Sequence, residues 1–240
     1  MDYIVLDLEM TGLSPKRDGI LEVGALRVRD DKETESIEFF VDSGRMITPE
    51  ITELTGITQE MAATGITPDE AIRQVAKFVG GDVWVGHNVI YDYSFLKQLA
   101  VNAGIPFEKT AMDTLRLARK LMREPEKKSL ENLCAFLDIH REREHRALDD
   151  ARATHQLFQW LYRTYGADCP EVFVPQPLLY HPKRQTPATK RQKRYLKELV
   201  EYHKIDFEPS VENLTRSEVS RLTDRIIAQY GRMPGLKDAH

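Results

Sequence analysis

The run Tyr3-Ile4-Val5-Leu6-Asp7-Leu8-Glu9-Met10-Thr11-Gly12-Leu13 constrains the fold of this chain more than any other stretch. Residues 3–8 are almost wholly apolar and β-prone and stop at Thr11-Gly12, which predicts a strand. A strand that is apolar on both faces belongs in the middle of a sheet covered by helices. Its C-terminal end carries Asp7 and Glu9. Two residues apart, their side chains leave the same face, roughly 6–7 Å apart at the backbone. Neighbouring carboxylates repel one another and are costly to desolvate. A shared divalent cation removes both penalties. The alternative is ordinary solvated charge at an exposed strand tip.

The rest of the chain supplies the cover such a strand needs. Residues 20–28 and 36–41 read as two further strands of an antiparallel meander, joined by a polar turn. Residues 49–54 and 59–63 read as short helices. A longer helix opens at Thr67, with Pro68 in its first position and Glu70 closing a capping box. Residues 82–86 and 110–113 are strand-like, each followed by a helix, at about 91–103 and to about 122. Residues 129–137 and 149–165 are helical by period. Three strands followed by alternating helices and strands predict an α/β fold: a mixed five-stranded sheet with helices on both faces.

Five prolines between residues 168 and 187 predict an extended linker. A helical hairpin follows, its first helix spanning about 188–203 with Thr186 as cap and Pro187 in its first position, its second running from Thr215 to Gly231. The expected organisation is therefore a body over 1–167, a linker over 168–187 and a helical accessory segment over 188–232.

The 240 residues, 41% hydrophobic and 30% charged, suit a globular chain of this design. No apolar run is long enough to span a bilayer, and the N-terminus leads straight into the first strand, so a cytoplasmic protein without a membrane partner is expected. Cys134 and Cys169 are too few and too far apart for a disulfide framework or a zinc site. The net charge of −4 hides an asymmetry: residues 1–182 carry 21 Lys and Arg against 30 Asp and Glu, and residues 183–232 carry 12 against 7. An acidic body suits cation collection, and a basic tail suits an anionic partner.

Two more polar clusters share the pattern of the first. Gly86-His87-Asn88-Val89-Ile90-Tyr91-Asp92 follows a strand and opens a helix, where Asp92 in the first turn is favoured by the helix dipole. His145-Arg146-Ala147-Leu148-Asp149-Asp150 enters the long helix, and with Asp149 as cap candidate, Asp150 is left to project elsewhere. Each Asp has a plain reading as a helix-start residue, and His87 one as a loop hydrogen-bonding group. Together they offer Asp7, Glu9, Asp92 and Asp150 as oxygen ligands for two Mg²⁺ or Mn²⁺ ions rather than zinc, with His145 as a proton acceptor. This is the composition of a two-metal phosphodiester hydrolase.

The three clusters resemble the three exonuclease motifs of the DnaQ-like 3′–5′ exonucleases, the DEDD family in its His subtype. The first is Asp7-x-Glu9 followed by Thr11-Gly12-Leu13, the second His87-Asn88 with Asp92, the third His145 with Asp150. The five-residue offset selects Asp150 over Asp149. The likeness covers about residues 1–165. It implies an RNase H-like fold, release of nucleoside 5′-monophosphates from 3′ ends, and catalysis by Asp7, Glu9, Asp92, His145 and Asp150. It also implies contacts to the terminal nucleotide from Met10, Thr11, Gly12, Leu13, His87 and Asn88. Met10 departs from the small Thr or Ser of many relatives. The expected partners are 3′ ends of single-stranded DNA or RNA, with a DNA polymerase or another replication or repair protein as a docking partner. The rival readings are an RNA-trimming enzyme and a non-catalytic interaction module on the same fold. In the tail, Lys190, Arg191, Lys193, Arg194 and Lys197 form either a phosphate-contacting handle or a solvated helix face.

Overall fold

The computed structural model describes residues 1–143, 145–207 and 210–233. The strands β1 (Tyr3–Met10), β2 (Ile20–Arg29) and β3 (Lys32–Phe40) form an antiparallel meander. β4 (Trp84–Gly86) runs parallel to β1, β5 (Thr110–Asp113) runs parallel to β4, and β6 (Gln176–Pro177) closes the far edge antiparallel to β5. The order is β3-β2-β1-β4-β5-β6. Helices α1 (Pro49–Thr55), α2 (Gln59–Ala63), α3 (Pro68–Val79), α4 (Ile90–Ala103), α5 (Thr114–Leu121), α6 (Leu130–Leu137) and α7 (Ala147–Tyr165) cover it.

The two-sided apolar character of β1 is used in full. Ile4, Leu6 and Leu8 enter one core with Ile72 and Val75 of α3 and Tyr93 and Leu96 of α4. Tyr3 and Val5 enter the other, with Leu117 of α5, Leu133 of α6 and Leu157, Phe158 and Leu161 of α7. The Thr67–Glu70 capping box fixes the start of α3. Burying one such aliphatic side chain contributes about 1.5–3 kcal/mol, so neither face of β1 could turn to water.

The sheet has six strands where five were expected. The sixth comes from the proline-rich stretch. Pro170–Phe173 forms a 3₁₀ turn that drops Phe173 edge-on against Phe158 and Tyr162, at centroid distances of 6.3 and 5.3 Å. Gln176 and Pro177 then pair with β5, and Leu178 and Tyr180 cover the first core. Prolines exclude a helix here, but an edge strand needs no inward N–H from Pro177. The stretch expected as a linker thus completes the body, and the chain divides into compact units at Met1–Pro182 and Lys183–His240.

Within the second unit, α8 (Lys190–Tyr202) and α9 (Arg216–Tyr230) bury Leu196, Leu199, Val219 and Ile226 against each other, with Val211 and Leu214 from the connection. The cap of α8 is Thr189, not Thr186. Thr189 finds Gln192 three residues on and makes a reciprocal capping box, whereas Thr186 uses its carbonyl to accept from Arg216 N at 2.8 Å. Thr215 with Glu218 makes a second reciprocal capping box at the start of α9.

Candidate active site

The two-residue period of β1 sends Asp7 and Glu9 to the face already taken by Tyr3 and Val5, the face that α7 covers. What holds the start of α7 there is a buried ion pair. Glu22 on β2 stands opposite Glu9 and is 0% exposed. It accepts Arg146 Nε at 3.0 Å, Arg146 Nη2 at 2.5 Å and the Ala147 amide at 3.0 Å. Two residues along the same face is Gly24, where a Cβ would fall 2.1 Å from Leu148 N. Backbone therefore lies directly on backbone at this point. The first turn of α7 is fixed over the β1 carboxylates.

That contact separates the two aspartates. Asp149 turns to Arg143, whose Nε donates at 2.7 Å, and lies 3.8 Å from Arg152. Asp150 faces the site and accepts from Arg141 Nη1 at 2.9 Å and from the backbone amide of His145. His145 adopts a left-handed φ of 56°, at the bend that leads into α7. Donor atoms of Glu9, His145 and Asp150 lie within 4.8 Å of one another. Asp92, in the first turn of α4 and 5% exposed, accepts from the Leu8 amide at 3.1 Å and so flanks β1 between Asp7 and Glu9. Asp7 and Asp92 stand outside the 4.8 Å group and join it through their fields.

The electrostatics are those of crowded, desolvated acids. Burial first, then Asp150, Glu22 and Asp92, push the Glu9 carboxyl up to about 8, against the pull of Arg146. Burial likewise raises Asp92 to about 8 although two backbone amides favour its ionised form. Burial and then the charges of Asp92, Glu9, Asp150 and Glu22 hold Asp7 well above the usual carboxylate range, even though its side chain keeps some exposure. Asp150 is raised by burial and held back by Arg141 and His145. Four acids that oppose one another's ionisation are what a divalent cation relieves, and an oxygen-rich donor set fits Mg²⁺ or Mn²⁺.

Other residues named from sequence are built into the loops around this cluster. Thr11 closes the loop after β1: its amide donates to Gly19 O at 2.9 Å and its hydroxyl accepts from Gly19 N at 2.9 Å. A Cβ on Gly12 would meet Asp18 Oδ2 at 2.5 Å, so the loop folds flat there. Met10 follows a register irregularity after Glu9, and Leu13 stands 73% exposed on the loop. His87 Nδ1 is 2.9 Å from Thr114 Oγ1 and the ring also bonds the Lys128 carbonyl; burial lowers its pKa to about 4 and keeps it neutral. Asn88, at a left-handed φ of 59°, donates its amide to Asp113 Oδ1 at 2.9 Å, the same oxygen that caps α5 at Leu115 N.

Sequence reasoning missed Glu22, Gly24, Arg141 and Arg146. Glu22 carries a signal of the kind found in β1, a lone acid in an otherwise apolar strand. Gly24 carries another, since glycine inside a buried strand marks a close approach. Nothing local marks Arg141 as the partner of Asp150.

A mixed sheet whose central strand ends in paired carboxylates, joined by a helix-start Asp and by a His–Asp pair at the head of another helix, is the arrangement that the likeness to the DnaQ-like exonucleases implies. The exonuclease family model (RNase T type) matches residues 4–158, and the chain belongs to that family. Among curated relatives, it is 38% identical over 162 residues to the PolC-type DNA polymerase III of Clostridium perfringens, a match that covers 68% of this chain and 11% of that protein. It is 36% identical over 157 residues to the PolC-type DNA polymerase III of Caldanaerobacter subterraneus subsp. tengcongensis, covering 65% of this chain and 11% of the relative. The chain thus spans about a tenth of these relatives' length. Among solved structures, Exonuclease X in complex with 5′ overhanging duplex DNA aligns with a TM-score of 0.56 at 25% identity, over 68% of this chain and 93% of that one. E. coli Exonuclease I in complex with a dT13 oligonucleotide shares the fold, with a TM-score of 0.61 at 20% identity over 72% of this chain and 42% of that one. Among the described residues no helix is long and apolar enough to cross a membrane.

Proposed function

We propose that this chain removes nucleotides one at a time from the 3′ end of single-stranded DNA, releasing nucleoside 5′-monophosphates. The observation that carries the reading is the convergence of Glu9, His145 and Asp150 within 4.8 Å, flanked by Asp7 and Asp92. Asp7, Glu9, Asp92 and Asp150 would hold two divalent ions. Such ions, when bound, supply Lewis acidity at the scissile phosphate and at the attacking water.

The chain's own residues do the rest. His145 accepts the proton of the water whose oxygen attacks the terminal phosphorus. The bond from phosphorus to the 3′ oxygen breaks, and that oxygen takes a proton from solvent. The left-handed turn at His145 aims the ring at the acids, and the Glu22–Arg146 pair keeps that turn in place. The loop of Met10, Thr11 and Gly12 faces the terminal nucleotide, and Leu13 offers an apolar surface to its base. His87 and Asn88 shape the opposite wall. DNA is favoured over RNA because Exonuclease X and Exonuclease I are described with DNA and the curated relatives are DNA polymerases. That relationship also supports a replication polymerase as docking partner.

The test is hydrolysis of end-labelled single-stranded DNA and RNA with Mg²⁺, with Mn²⁺ and in EDTA. Mononucleotide release from the 3′ end, abolished by EDTA and by Asp92→Ala, is expected. Full activity in excess EDTA would sink the two-metal mechanism, and a preference for RNA would move the substrate to the trimming class.

A further inference from the structure

We propose that the cleft between the end of α5 and the start of α6 is a track for the sugar–phosphate backbone of the strand whose 3′ end occupies the candidate site. This rests on the exonuclease reading above. The cleft, of about 590 Å³, is lined by Arg119, Arg123, Lys127 and Lys128, with Glu126 as its acid and Met122 and Asn132 among the rest. Residues 114–132 contain six Lys and Arg against three Asp and Glu, inside a unit that is acidic as a whole.

These cations differ from the arginines bound up in the unit's ion pairs, and among the described residues they are clustered where the other exposed and unpaired cations, Arg17, Lys32 and Lys77, are scattered along the sequence. Arg27 and Arg29 share Asp82, Arg143 and Arg152 pair with Asp149 and Glu33, and Arg146 is bound by Glu22. Arg116, Arg119, Lys120, Arg123 and Lys127 are exposed and, among the described residues, form no ion pair. Lys128 differs, because its ammonium is committed to the carbonyls of Arg123 and Pro125 and holds the turn. Arg119 in the last turns of α5 and Arg123 and Lys127 beyond its extended C-cap Met122 line this cleft, while Arg116 and Lys120 line a neighbouring one together with Glu171. Exposed cations that outnumber Glu126, the acid among the cleft's lining residues, are suited to phosphates, which release condensed counterions as they bind.

The track adjoins the site through shared bonds. The Lys128 carbonyl on its wall holds the His87 ring, and Thr114, which begins α5, holds the other side of that ring. Asp113 ties Asn88 to the same helix. A strand leaving the loop at residues 87–88 meets Arg119 next. The basic residues of α8 are the competing candidate in the chain. There, Lys193 and Lys197 pair with Glu212, and Arg194 lies 3.6 Å from Glu198. Three of those five charges are already partnered, which favours the cleft.

The test compares the full chain with the triple variant Arg119→Gln, Arg123→Gln, Lys127→Gln. Binding of fluorescent single-stranded 5-mer and 20-mer DNA is measured in EDTA across a salt series, and hydrolysis of the p-nitrophenyl ester of thymidine 5′-monophosphate is measured with Mn²⁺. The variant should bind the 20-mer at least about tenfold more weakly. Its log–log salt slope should be shallower by about 2, three phosphate contacts at roughly 0.7 each. Its hydrolysis of the ester, which has no further phosphates, should match wild type. Unchanged 20-mer affinity and slope overturn the proposal, and so does an equal loss on the ester, which would place these residues in the site or the fold. Failure of the wild-type chain to hydrolyse either the ester or the oligonucleotides would instead overturn the exonuclease reading, and the binding arm is read without turnover.

Discussion

At the scale of single residues, the site sets an unusual titration. Glu9 and Asp92 have carboxyl groups raised to about 8, while in an unfolded chain they ionise near 4. Between those values the folded state holds protons that the unfolded state has lost. Stability without metal should therefore fall as pH rises from about 4 to about 8, the reverse of the usual salt-bridged carboxylate. Divalent cations should restore it by binding the ionised acids. Melting temperatures of wild type and Asp92→Asn across this range, with EDTA or Mg²⁺, check both signs. The variant should show a flatter pH dependence and a smaller Mg²⁺ shift; identical curves would contradict the crowding. A second residue-scale expectation concerns the base. His145→Ala should lower kcat by about 100- to 10,000-fold with little change in the Mg²⁺ concentration needed for half-maximal rate. His140→Ala should be near neutral, and a crippled His140 variant would mean that the wrong imidazole has been assigned. The five proposed catalytic residues were legible because each lies in a short run whose polar members contradict the apolar element around them. Glu22, Arg141 and Arg146 were not. Arg146 and Glu22 are separated by 124 positions, and only the fold decides which acid an arginine meets.

At the scale of elements, the first turn of α7 carries the site, and its position depends on β2 having no side chain at Gly24. A Cβ there would fall 2.1 Å from Leu148 N and 2.2 Å from the Ala147 carbonyl carbon, both backbone atoms that cannot step aside singly. Gly24→Ala should therefore shift the head of α7, destabilise the fold by about 1–3 kcal/mol and reduce hydrolysis more than that loss explains, since His145 and Asp150 move with the turn. Chemical denaturation and single-turnover rates on the same variant measure the two effects. A variant with wild-type turnover would show that the site tolerates the displacement. Most elements were legible from period and caps, because a capping box such as Thr67–Glu70 is a local device. β6 was not legible. Its prolines describe only what the stretch cannot be, and its pairing with β5 is decided by an edge some 65 residues earlier in the chain. The cap of α8 was displaced for a related reason, since two threonines compete and the one with Gln192 in reach prevails.

At the scale of the whole molecule, the chain consists of a body that ends at Pro182 and a helical unit with a core of its own. The sequence announced the change of charge between them but not where the division falls, because the last residues of the body look like linker until Phe173 and Tyr180 are seen to be covered. The hairpin residues Leu196, Leu199, Leu222 and Ile226 pack within their own unit. Removing residues 183–240 should consequently leave the body folded, with a melting temperature within a few degrees of the full chain and unchanged hydrolysis of a dinucleotide. The effect on longer strands tells what the tail is for. Lys190 and Arg191 are the exposed cations of α8 outside the pairs with Glu212 and Glu198, so a handle built from that helix can neutralise about two phosphates. Deletion should then weaken 20-mer binding modestly and reduce the salt slope by no more than about 1.5, less than the change expected from the α5 cleft. A larger drop would make the tail the principal nucleic-acid contact. An unchanged slope with intact stability would leave protein docking as its role.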